Sequence, residues 1–174
     1  MPFAYFQRLT KTQQRIYRRS DGISAIPLPE AKDLRPLVDR LAEALAIEDR
    51  LGVEVAAESL LTRMTMTLKV PPLSVRVLAV RPSQHWGELH GLYTSSRPGH
   101  PAQVTVWMRT AQRHEIVKFR TFLRTLLHEL CHHLDYALLR LPDSFHTEGF
   151  YQRESSLLKQ LTPAEPTGRS DESV

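Results

Sequence analysis

Residues 115–140 contain neither glycine nor proline and are rich in leucine, a run that the chain accommodates best as one long helix. It ends at Leu141-Pro142-Asp143, where proline cannot continue the helix. Setting His128 at zero and advancing about 100° per residue places Thr125, His132, Asp135 and Leu139 within about 60° of it. Phe119, Phe122, Leu123, Leu126, Leu127 and Leu130 cover much of the remaining surface, so the helix is expected to be buried and central. Within it stands His128-Glu129-Leu130-Cys131-His132.

Two histidines four apart share one face of a helix and can bind a single metal ion. The glutamate between them lies beside that ion, where it can take a proton from an attacking water. A third ligand from outside the helix leaves one position of a tetrahedral zinc open for chemistry. His146, in the run Ser144-Phe145-His146-Thr147-Glu148-Gly149-Phe150, follows a Pro-Asp turn, where a returning loop meets the helix. Glu148 and Glu154 are rival third ligands, because carboxylates also complete such sites. The bland alternative is a helix whose histidines only pack or bond to backbone groups.

Several neighbours have candidate roles. Asp135, one turn beyond His132, can support a ligand from behind, or can equally be a surface or ion-paired carboxylate. Tyr136, Tyr151 and Arg153 are the nearest candidates to stabilise a developing oxyanion. Cys131 points away from the shared metal face and reads as a small buried residue.

The 174 residues, 41% apolar and 24% charged, suit one globular domain, expected over residues 1–162. Residues 163–174 are polar with two prolines and are expected to form a disordered tail. Helices are expected at 9–19, 30–48 and 53–67, so residues 1–70 are mainly helical. Strands at 73–80, 88–94 and 104–108 are expected to form a short antiparallel meander before the motif helix, with a last helix at 149–161. The fold class is therefore α+β, with residues 104–108 expected as the sheet edge on which an extended peptide docks.

No apolar run reaches the roughly 18 residues needed to cross a bilayer, and the N-terminus lacks a leader pattern. The single cysteine cannot form an internal disulfide, so a cytoplasmic protein without membrane contact is expected. Net charge is +4. Arg8, Lys11, Arg15, Arg18 and Arg19 recur mostly at three- and four-residue steps, giving the first helix a cationic stripe. Such a stripe is either a solvated face or a surface for DNA phosphates.

Taken together, the motif helix, the turn and the His146-Thr147-Glu148-Gly149-Phe150 run resemble the SprT-like zinc metallopeptidases, which include the Spartan-type DNA–protein crosslink proteases. The resemblance covers about residues 75–161. Thr147 stands where that family often has glycine, and this chain has no four-cysteine zinc ribbon. The resemblance implies a minimal zincin core in which His128, His132 and His146 bind Zn²⁺ and Glu129 is catalytic. A zinc-dependent endopeptidase acting on a protein or peptide is thus the expected function. The alternatives are a nucleic-acid-associated binding protein with a structural zinc, and a gluzincin-like peptidase using Glu154 as third ligand.

Overall fold

Five α-helices and a three-stranded sheet make up the computed structural model, which describes residues 2–84 and 87–162. The fold is α+β. The tail expected at residues 163–174 lies outside the described residues. A 3-10 turn, Ala4–Arg8, leads into α1, Lys11–Asp21. A capping box starts α1: the Thr10 hydroxyl accepts from Gln13 N–H at 3.2 Å, and the Gln13 side-chain oxygen accepts from Thr10 N–H at 3.0 Å. A second 3-10 turn, Ala31–Leu34, precedes α2, Arg35–Ala46, which carries Pro36 in its first turn, where no backbone donor is needed. The helix α3 spans Arg50–Thr67, so the break expected around residues 49–52 falls earlier, at residues 47–49.

The strands are β1 Leu73–Val80, β2 Ser83–Gln84, β3 Gly87–Glu88, β4 Gly91–Thr94 and β5 Ala102–Arg109. β2 and β3 pair only with each other, and the main sheet has the order β1-β5-β4. The expected antiparallel meander does not form. β5 is central, parallel to β1 (Leu73↔Ala102 to Val80↔Arg109) and antiparallel to β4 (Gly91↔Val106 to Thr94↔Gln103). The physical reason lies in β5 itself. Val104, Thr105, Val106, Trp107 and Met108 are all buried, so both faces of the strand need cover, a demand typical of an interior strand. Residues 104–108 are therefore not the sheet edge. The edges are β1 and the short strand β4, and the expected single strand at 88–94 is broken at Leu89-His90.

Helix α4, Phe119–Ala137, packs against β4, β5 and the last helix, α5, Glu148–Leu161. Phe122, Leu123, Leu126, Leu127, Leu130 and Leu134 are buried with Val75, Val77, Val104 and Val106 of the sheet. Each large side chain so buried contributes about 1.5–3 kcal/mol. Cys131 is also fully buried, and burial pushes its thiol up, so it is an inert packing residue as expected. Among the described residues no helix is long and apolar enough to cross a membrane.

Candidate metal centre

The motif helix presents His128 and His132 one turn apart, and the loop after Leu141-Pro142-Asp143 swings His146 back over them. The Nε2 atoms converge: His146 Nε2 lies 3.0 Å from His128 Nε2 and 3.1 Å from His132 Nε2. Ligand nitrogens around a tetrahedral zinc at its usual bond length sit about 3.3 Å apart, close to these spacings. Beneath them Phe150, fully buried, lies with its ring centroid 4.9, 4.8 and 5.2 Å from the three imidazoles. An apolar floor of this kind fixes the rings by shape.

The opposite nitrogens of His128 and His132 orient their rings. His128 Nδ1 is 2.9 Å from Glu154 Oε2, and a carboxylate oxygen accepts, so Nδ1–H donates to it and Nε2 faces the cluster. Ser144 donates to Asp135 Oδ2 at 2.8 Å, so its oxygen accepts from His132 Nδ1 at 2.7 Å. Burial, then the neighbouring His146 and His128, push His132 down to about 3, which keeps its imidazole neutral. His128 and His132, orientated by their Nδ1 edges, make with His146 a donor set that suits zinc. If these histidines hold zinc, replacing Ser144 with alanine is expected to weaken its binding 10–100-fold, the usual cost of losing such a support, read by chelator competition.

Glu129 is 6% exposed, with its carboxylate against β4. It accepts from the Tyr93 backbone N–H, and a Cβ at position 91 would collide with its Oε1, so only glycine lets the strand approach it this closely. Burial raises its carboxyl to about 7, against the pull of His128 and the Tyr93 amide. Glu129 and the three histidines line one cleft of about 790 Å³, together with Gly91, Tyr93, Tyr136 and Tyr151.

The other candidates divide. Glu154 meets the Nδ1 edge of His128 and lies 3.4 Å from Arg124 Nη1, so it stands behind His128 and not among the converging nitrogens. Glu148 is exposed on a separate cleft with Ser24 and Lys159. Asp135 is fully buried, joined to His132 through Ser144 and ion-paired with Arg153 at 2.8 Å, which excludes a solvent-facing role. Arg153 is fully buried too and bound to Ser20, Ile23 and Asp135, so it is no oxyanion donor. Tyr136 and Tyr151 are exposed in the cleft.

The part of the site that sequence reasoning missed comes from the N-terminal segment. Tyr5 donates to the His146 carbonyl at 2.8 Å, and burial raises its phenol to about 12. Asp21 Oδ1 accepts from Gly149 N–H at 3.0 Å, and a Cβ at 149 would strike the Asp21 carbonyl, so glycine is required at this close approach. Tyr17, fully buried, packs its ring 6.2 Å from Phe145. The inner side of α1 thus holds the ligand loop, while Arg8, Lys11, Arg15, Arg18 and Arg19 stay exposed. Arg19 caps the Leu139 carbonyl at 2.9 Å, and Arg18 sits 5.1 Å over the Phe6 ring. The only local hint of this bracing was the cluster Phe3, Tyr5, Phe6 and Tyr17.

Comparison with family models, with curated proteins and with solved structures found no match to the chain.

Proposed function

We propose that the protein is a zinc-dependent metallopeptidase in which His128, His132 and His146 hold the metal and Glu129 is the general base. The observation that carries this reading is the convergence of three Nε2 atoms beside a buried glutamate, in a cleft bordered by the sheet edge β4. Zinc held there supplies Lewis acidity to the water and to the scissile carbonyl. Glu129 takes the proton of the attacking water and passes it to the departing amine. An extended peptide adds along Gly91–Thr94, the strand that already seats Glu129, and Tyr136 or Tyr151 donates to the oxyanion. The resemblance to SprT-like metallopeptidases supports the same chemistry, and a single buried cysteine agrees with a cytoplasmic setting.

The test is zinc per chain by elemental mass spectrometry, paired with digestion of an unfolded protein. One zinc is expected in the wild type and almost none in His146→Ala. Cleavage should stop with a chelator and return with zinc. A wild type that holds no zinc after reloading overturns the reading.

A nucleic-acid-associated role with a structural zinc is the second reading, favoured by the five exposed cations of the N-terminal turn and α1. It predicts DNA binding that weakens steeply with salt and is lost on charge reversal at Arg15 and Arg18. Gel shifts across a salt series decide it, and binding that ignores salt excludes it.

A further inference from the structure

A second cavity, of about 500 Å³, adjoins the metal cleft. Its walls include Pro71, Pro72, Pro101, Ala102 and Ala137. Tyr93 and Tyr136 line both spaces, and their rings stack at 6.1 Å to form the partition between them. His133 lines the cavity and is 4% exposed, and neither of its nitrogens is free. The Pro71 carbonyl, 2.8 Å from Nε2, can only accept, so Nε2 carries the proton and Nδ1 receives the Tyr93 hydroxyl at 3.2 Å. A chamber walled by prolines, alanines and ring faces, with its histidine saturated, holds water poorly and an apolar group well.

We propose that this cavity is a specificity pocket for one apolar side chain of a peptide extended along β4. The proposal rests on the peptidase reading and deepens it by naming the substrate class. The strand itself connects the two sites. Gly91 abuts Glu129, Tyr93 stands in the partition, and Ser95 and Ser96, just past the strand end, line the pocket. A peptide added to that edge advances about 3.3 Å per residue and turns alternate side chains to the same face. A side chain a few residues from the scissile bond therefore reaches the pocket, and the side of the bond on which the preference falls reports the direction of addition.

The experiment uses the zinc-loaded Glu129→Gln protein as a non-cutting trap and a library of blocked decapeptides, read by fluorescence anisotropy. Peptides with leucine at one position are expected to bind about 10-fold or more tighter than those with alanine there. Adding Ala137→Trp, which fills the pocket from the end of α4, should erase that difference with zinc content unchanged. Ser96→Trp repeats the block from the exposed rim, in case the helix variant folds poorly. Equal discrimination in both pocket variants, or no peptide binding at all, overturns the proposal. Cleavage by the wild type measured on the same library separates the two claims. Apolar-selective binding without cleavage keeps the pocket and removes the peptidase reading, whereas cleavage without apolar preference does the reverse.

Discussion

Replacing Arg153 with methionine will lower the stability of the fold by about 3–5 kcal/mol, the cost of breaking a fully buried ion pair from one side. The guanidinium donates to Asp135 Oδ1 at 2.8 Å and to the Ser20 and Ile23 carbonyls at 2.7 and 2.6 Å. Its loss strands a carboxylate that has no exposure to water. Burial already raises the Asp135 carboxyl, opposed by Arg153 and by the Ser144 hydrogen bond, and removing Arg153 raises it further. A group whose pKa is higher folded than unfolded adds stability at low pH and loses it as pH rises. The deficit of the variant should therefore be larger at neutral than at acid pH, a difference that urea midpoints at the two pH values measure. The double variant Asp135→Leu/Arg153→Met, with no buried charge left, should regain part of the loss. It should still bind zinc 10–100-fold more weakly, because Ser144 no longer has a carboxylate to hold it. An Arg153→Met protein with wild-type midpoints at neutral pH would contradict the account.

On the proposed function, Glu129→Gln will keep zinc and lose peptide hydrolysis by a factor of about 10²–10⁴, the usual contribution of a general base. Glutamine has the same shape, fits the space that Gly91 leaves, and can still accept from the Tyr93 amide, but it cannot take a proton. Folding should not suffer, since a carboxyl raised to about 7 by burial gives up little when its charge is removed. Zinc stoichiometry and a thermal melt, set beside the cleavage rate, separate loss of chemistry from loss of structure. Turnover at the wild-type rate with zinc bound would take the proton-transfer role away from Glu129.

What the chain reveals in advance follows from how local each signal is. The helix around His128 declares itself through 26 residues without a breaker, and α4 runs from Phe119 to Ala137 inside that span. The step of four between His128 and His132 places both rings by helical geometry alone. Strand pairing is not local. Nothing in Leu73–Val80 names Ala102–Arg109 as its parallel partner, although the unbroken run Val104-Thr105-Val106-Trp107-Met108 did carry the mark of an interior strand. Least legible were the groups behind the ligands. Ser144 and Arg153 look like ordinary polar residues until the fold sets them against Asp135, and Tyr5 until it meets the loop of His146. Glu154, a candidate ligand by sequence, bonds the far edge of His128.

The Tyr5–His146 bond also bears on the order in which the molecule assembles. His128 and His132 come together once α4 forms, a local event on the microsecond scale or faster. The loop that carries His146 is tied to α4 by Ser144, 12 residues from His132, and also by contacts 141 residues apart, from Tyr5, and, through α5, 133 apart, from Ser20 to Arg153. Closures that long carry the highest entropic cost and come late along a folding route. The loop that carries His146 is thereby fastened to the first segment of the chain, and its seating is complete only when the two ends of the sequence have met.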